Sequence, residues 1–192
     1  MTLQSEAIRS IVELACKFTP GGGSVVLTDE QQETLVKFLL LFNLFEGVLF
    51  KQREGQQATN CQQIHNDLKN EGWFNVNDYN EFGLFFANRY IQNGQYNDRD
   101  LFRDRFGNRS ADGEKVQIAL EGLKAGVQNN DLFDCYLIIA YTFRNKLFHG
   151  AKDIPSLEEQ IDCFETINWM MDKLLKDMVA GQFIGLRTKY PH

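Results

Sequence analysis

Hydrophobic residues recur at the spacing of an α-helix along almost the whole chain, and no strand-like alternation of apolar and polar residues persists. This pattern predicts an all-α fold with a single helical domain over residues 1–192. The helices are expected at Leu3–Phe18, Asp29–Lys51, Asn60–Glu71, from Asn77 or Asp78 to Asn93-Gly94, Glu114–Asn129, Asp131–Gly150 and Leu157–Ala180. Residues 95–113 alternate arginine with aspartate, and we expect them to form a polar insertion in a minimal bundle.

The segment Asp131–Gly150 reads DLFDCYLIIAYTFRNKLFHG. Its apolar residues cover every helical face as far as Phe143, which predicts a helix that is buried on most sides. Three polar residues then follow from Arg144, and His149 precedes the closing glycine. A helix that only filled a core would not need a guanidinium and an imidazole at its end. This polar end is therefore the strongest indication of function in the sequence.

The helical geometry places these polar side chains relative to one another. Asn145 and His149 are four residues apart and share a face. Arg144 and His149 are five apart, about 140° around the helix and about 7.5 Å along its axis, so the long arginine side chain can curl toward the imidazole. One helix end therefore offers a cation, an amide and a titratable base.

Those groups suit the cleavage of an RNA phosphodiester. An imidazole can exchange protons near neutral pH, and arginine stays charged and forks onto phosphate oxygens. The reaction needs a base for the 2′-hydroxyl, an acid for the leaving oxygen and a cation for the developing negative charge. Because one histidine cannot conveniently perform both proton transfers, two chains with facing sites would serve the reaction better.

The string from Arg144 to His149, RNKLFH, resembles the R-x4-H signature of the HEPN superfamily, and YTFRNKLFHGAKD resembles members found in prokaryotic defence and toxin systems. The resemblance implies a bundle of four to five helices, a symmetric dimer and a cleft where two motifs meet. It implies RNA cleavage without a metal or other cofactor, leaving a 2′,3′-cyclic phosphate. Arg144 and His149 would be the catalytic pair, with Asn145 and Lys146 in support. The resemblance also favours a toxin or anti-phage effector, with an antitoxin or regulatory partner.

Asn43 and Glu46 interrupt the apolar run of the Asp29–Lys51 helix, three residues apart and on one face. A carboxylate among apolar neighbours is costly unless it is paired. One hypothesis is that Glu46 lies near Arg144 and orients it, with Asn43 helping. The alternative is that both residues lie on an exposed strip, and the pattern favours neither.

The arginines of the 95–113 segment also allow two interpretations. They could form a basic rim, in which Arg103, Arg105 and Arg109 contact RNA phosphates and Phe102 and Phe106 stack or anchor. Mixed charge of this kind is more often a solvated segment with weak ion pairs. Lys152 follows the R-x4-H string closely and could add a phosphate contact.

Two other interpretations of the helix end remain open. In the first, these residues have only a structural role: Arg144 and Lys146 are solvated, and His149 interacts favourably with the C-terminal end of the helix dipole. In the other, the chain is a non-catalytic HEPN-fold module that binds a nucleotide, an RNA or a partner protein. The intact pair of arginine and histidine favours the ribonuclease, whereas a net charge of -6 favours the binding module.

Charge, cysteine spacing and hydropathy limit the kinds of site and the cellular location that the sequence allows. The net charge of -6 argues against a broadly basic nucleic-acid surface but permits a local cationic cleft. The four cysteines are widely spaced, without C-x-x-C or a His/Cys cluster, so we expect no zinc site and expect reduced core residues at Cys16, Cys135 and Cys163. No signal segment or membrane span is evident, which indicates a cytoplasmic protein. His65 has no titratable partner at catalytic spacing and is expected at the surface.

Overall fold

The computed structural model describes residues 27–49, 61–98, 101–102, 110–127, 129–149 and 157–181, without the side chains of residues 49, 148, 149, 157 and 158. These ranges are mostly helical, which confirms the all-α prediction. The helices are α1 (Asp29–Leu49), α2 (Cys61–Lys69), α3 (Asn80–Tyr90), α4 (Ala111–Lys124), α5 (Leu132–His149) and α6 (Ile161–Ala180). Single 3-10 turns occupy Val76–Tyr79 and Leu157–Gln160, and two short strands are β1 (Ile91–Gln92) and β2 (Gln95–Tyr96). The helix expected at Leu3–Phe18 lies outside the described residues.

Helix α5 is the most deeply buried helix, as its apolar sequence predicts. All residues from 132 to 140 are buried, and α2, α3 and α4 each contact the helix. Helices α1 and α6 form the most extensive helix pair. Aromatic rings join this pair to α5. The Phe164 ring of α6 packs edge-to-face on Phe38 of α1 and on Phe143 of α5, with 4.9 Å and 5.5 Å between the ring centroids. The buried part of α5 is thereby fixed, and its polar end emerges at the surface of this core.

The dipeptide Asn93-Gly94 does not end a helix as predicted. Helix α3 stops at Tyr90, and β1 then pairs antiparallel with β2, with Ile91 opposite Tyr96. Asn93 and Gly94 have φ values of 52° and 74°, and a two-residue hairpin turn of type I′ requires positive φ at both positions. Asn-Gly favours that turn more strongly than it favours a helix cap here.

Burial differs from the predictions on two helices. The apolar sequence of α1 predicts that most of this helix lies in the core, yet Leu40 and Leu44 are 62% and 59% exposed. The helical pattern of the last helix predicts that its inward-facing residues are Ile161, Phe164, Ile167, Trp169, Met170 and Leu174. Trp169 is nevertheless exposed, since it lies about 200° around α6 from the buried Ile167. The expectation for α6 is otherwise confirmed at Phe164, Ile167, Met170 and Leu174.

His65 and the 95–113 segment are also more buried than predicted. His65 is 2% exposed and packs on Phe133, with 6.1 Å between ring centroids. In the described part of the insertion, Leu101 and Phe102 are buried, so Phe102 anchors the segment to the core. Helix α4 begins at Ala111, earlier than expected, because the Ser110 side chain caps it by accepting from the Gly113 amide.

The cysteine prediction is confirmed at two positions, since Cys135 and Cys163 are buried thiols that form no disulfide among the described residues. Cys16 lies outside the described residues. In the ranges that the structure describes, none of the helices combines the length and the apolar character needed to cross a membrane.

Candidate functional site

The candidate site lies where α5 leaves the core. Phe143 is buried, and the next residues are half-buried, including Arg144, Asn145 and Lys146. The helix therefore presents its polar side chains at the edge of the core, and the buried residues before them hold the backbone in place. A polar group at such an edge has a fixed position and remains within reach of a ligand.

Two acceptors hold the guanidinium of Arg144. Its Nη2 donates to Glu46 Oε2 at 3.2 Å, and its Nη1 donates to Asn145 Oδ1 at 3.1 Å. The carbon at the centre of the guanidinium lies 6.0 Å from the Phe42 ring centroid and 5.9 Å from that of Tyr141. Helix α1 thus contributes a carboxylate and a ring, and α5 contributes an amide and a ring.

These contacts orient the Arg144 guanidinium but contribute little to the free energy of unfolding. The side chains of Arg144 and Glu46 are 25% and 31% exposed, and a partly exposed ion pair contributes about 0.2–1 kcal/mol. Each ring contact adds about 0.5–1 kcal/mol at such a site. The larger consequence is that a flexible arginine side chain is held in one orientation by groups from two helices.

The structure agrees with the hypothesis for Glu46 but not for Asn43. The predicted contact between Glu46 and Arg144 is present. Asn43 is exposed, and the described ranges show no hydrogen bond from its side chain to Arg144. The two residues are about 60° apart on α1, which leaves Glu46 beside α5 and turns Asn43 toward solvent.

The other predicted residues are placed as follows. His149 is the last residue of α5, five residues after Arg144 on the same helix, and its side chain is outside the description. Lys146 is half-buried on that helix end. The predicted RNA contacts at Arg103, Arg105, Arg109 and Lys152 all lie outside the described residues.

Sequence reasoning missed the two aromatic supports of the arginine. Phe42 precedes Glu46 by four residues on α1, and Tyr141 precedes Arg144 by three on α5. Residues at these spacings share a helix face, so the same arithmetic that linked Asn43 to Glu46 could have identified both rings.

A second polar group is buried near the start of α5. The Nζ of Lys115 forms an ion pair with Asp134, whose side chain is 2% exposed. Burial and the charge of Asp134 raise the pKa of the Cys61 thiol to about 12, and burial lowers the pKa of His65. A protonated thiol is a poor nucleophile, so Cys61 and His65 do not form an activated catalytic pair. No set of three or more His, Cys, Asp or Glu side chains in the described ranges converges as metal ligands.

Comparison with known proteins identifies no relative of this chain. No protein-family model matches the sequence, and neither the curated proteins nor the solved structures yield a match. The HEPN resemblance therefore depends on the string from Arg144 to His149 and on its place at the end of a buried helix.

Proposed function

We propose that this protein is a metal-independent RNA endonuclease of HEPN type that acts as a symmetric dimer, with Arg144 and His149 as its catalytic residues. The observation that carries the proposal is the orientation of the Arg144 guanidinium by Glu46 and Asn145 at the end of α5. His149 ends the same helix. Phosphodiester cleavage requires a cation and a titratable base, and the end of α5 carries one residue of each kind.

The reaction proceeds through the 2′-hydroxyl of the RNA. The histidine of one chain takes the proton of this hydroxyl, and the oxygen attacks the adjacent phosphorus. The bond from phosphorus to the 5′-oxygen breaks, and the histidine of the second chain gives that oxygen a proton. The products are a 2′,3′-cyclic phosphate and a 5′-hydroxyl. Arg144 stabilises the negative charge that develops on the phosphate oxygens.

We infer that the second chain of the dimer packs on the exposed side of α1. Leu40 and Leu44 are more than half exposed and lie one turn apart on the helix that carries Glu46. Exposed leucines of this kind favour a protein interface. The second histidine of the proposed reaction comes from this second chain.

One observation favours the alternative of a non-catalytic binding module. The net charge of -6 opposes the long-range attraction of an RNA substrate. In a binding module the same arginine binds a nucleotide, an RNA or a partner protein without cleavage. The proposed cellular role as a toxin or anti-phage effector, with an antitoxin or regulatory partner, applies to the ribonuclease.

The test is cleavage of RNA by the purified protein in excess EDTA, beside Arg144→Ala and His149→Ala. We expect both variants to lose cleavage and the wild-type products to carry cyclic phosphate ends. Lys176→Ala is the matched control, because it removes an exposed cation from α6. Equal cleavage by all four proteins would mean a contaminant and would refute the proposal.

Two further variants separate the roles of geometry and assembly. Glu46→Gln keeps the shape of the side chain and removes its charge, so a loss of cleavage with an unchanged fold supports an orienting role. Leu44→Glu should give a monomer in sedimentation analysis and lose cleavage with it. A monomeric Leu44→Glu that still cleaves would contradict the site shared between two chains. If RNA binds through Arg144 and none of the proteins cleaves it, the binding module is the better assignment.

A further inference from the structure

A pocket with a volume of about 660 Å³ lies at the start of α5, opposite the end that carries Arg144. Its walls come from the end of α2, the 3-10 turn with the start of α3, the turn after α4 and the start of α5. Leu132 lines the pocket and is twelve residues before Arg144 on α5, a distance of about 18 Å along the helix. The pocket is therefore separate from the proposed catalytic site.

The polar lining of the pocket is rich in amides and carries one positive charge. The amides belong to Asn75, Asn77, Asn80, Asn129 and Asn130. Lys69 is the cation, and its Nζ donates to the Asn130 carbonyl at 3.1 Å. No carboxylate is among the described residues that line the pocket, although the chain as a whole has a net charge of -6. One positive charge without a negative one among these residues favours an anionic ligand over a cationic one.

Two buried polar atoms in the lining have no hydrogen-bond partner among the described residues. They are Nδ1 of His65 and Oδ1 of Asn80. His65 is 2% exposed, so bulk water does not compensate its nitrogen. Buried polar atoms are nearly always paired in native proteins, and an unpaired one calls for a partner. A ligand with neutral hydrogen-bonding groups would supply partners at both positions after small side-chain adjustments.

The protonation state of His65 agrees with this assignment. Burial, followed by the charge of Lys69, lowers the pKa of His65. The imidazole is then neutral near pH 7 and has one donor and one acceptor nitrogen. It can bond to an uncharged group of the ligand and leaves the ionic contact to Lys69.

The apolar lining includes two large side chains that are exposed. Leu84 is 42% exposed and Val127 is 60% exposed, and both line the pocket. Small-molecule sites combine apolar walls with a few placed polar groups, in volumes of about 300–1,000 Å³. The apolar body of a ligand would cover these two residues.

We infer that this pocket binds a small organic anion with an apolar body. Its negative group lies at Lys69, its neutral hydrogen-bonding groups face His65 and Asn80, and its apolar part packs on Leu84 and Val127. The inference is independent of the proposed function, since it involves none of the residues of the arginine site.

The test compares two probes of the same shape, 2-naphthoate and its neutral amide 2-naphthamide. Each is titrated into the full chain, and binding is measured from the amide resonances of the asparagines in the pocket. We expect naphthoate to bind about two- to fivefold more tightly than naphthamide. Lys69→Gln should remove that preference and leave naphthamide binding unchanged.

Two controls make the result specific. Lys176→Gln removes a cation that is 73% exposed on α6 and should retain the preference for naphthoate. Leu84→Gln should weaken both probes equally, because it removes an apolar contact and no charge. Equal binding of the two probes by the wild type, an unchanged preference in Lys69→Gln, or no saturable shift with either probe would overturn the inference. Circular dichroism establishes that each variant is folded before it is titrated.

Discussion

The buried ion pair between Lys115 and Asp134 joins α4 to the start of α5, and its removal should have a large effect on stability. Lys115 donates from Nζ to Asp134 Oδ2. Burial alone would lower the pKa of Lys115, but the hydrogen bond and the charge of Asp134 outweigh it and raise the pKa above the ordinary 10.5. The stabilisation is thus fully present at neutral pH and is lost only as pH rises through the raised pKa. The informative change is Lys115→Met, which keeps the chain length and removes the charge.

The magnitude follows from the burial of Asp134. Its side chain is 2% exposed, against 32% for Lys115, and its Oδ1 has no hydrogen-bond partner in the described ranges. Removing one partner of a buried ion pair costs about 3–5 kcal/mol, because the remaining charge is buried without compensation. We therefore expect Lys115→Met to lower the free energy of unfolding by about 3–5 kcal/mol at pH 7.

Urea unfolding, followed by far-ultraviolet circular dichroism, measures this loss. The double variant Lys115→Met/Asp134→Leu should return to within about 1 kcal/mol of the wild type at pH 7. Lys176→Met is the matched control, since its exposed pair with Asp172 is worth about 0.5 kcal/mol or less. A loss in Lys115→Met as small as in this control would refute the reasoning.

Burial and, to a smaller extent, the charge of Lys69 lower the pKa of His65 below its ordinary 6.5. The unfolded chain therefore binds a proton at this histidine more readily than the folded chain does. As a result, the free energy of unfolding falls as the pH drops through 6.5 toward the lowered pKa. His65→Gln should reduce this loss in thermal unfolding measured between about pH 7.5 and 5.5, and an equal loss in both proteins would contradict the assignment. A methyl group at Gly83 would overlap the buried Tyr136 side chain, so Gly83→Ala should lower the free energy of unfolding by about 1–3 kcal/mol. Gly47→Ala, where nothing lies within 4 Å, should raise it by about 0.5–1 kcal/mol, and similar effects at the two glycines would exclude the close-contact explanation.

Part of the candidate site was predictable from local pattern and from the cost of a buried charge. The apolar run before Arg144 predicts a buried helix with a polar end, and α5 has that form. A carboxylate within the apolar run of α1 needs a cation, and Glu46 finds it in Arg144. The same reasoning did not separate Asn43 from Glu46, because their difference depends on where α5 packs against α1.

Helical periodicity depends on neighbours within four residues, since each backbone hydrogen bond joins such neighbours and each face repeats with the turn. It therefore predicts the helices from the chain alone, and it would also have placed Trp169 away from Ile167. Burial of a particular side chain depends on elements that are distant along the chain. His65 is covered when α2 packs on α5, and the pocket beside it is assembled from four separate segments. No local pattern carries that information, because these contacts exist only after the helices have packed.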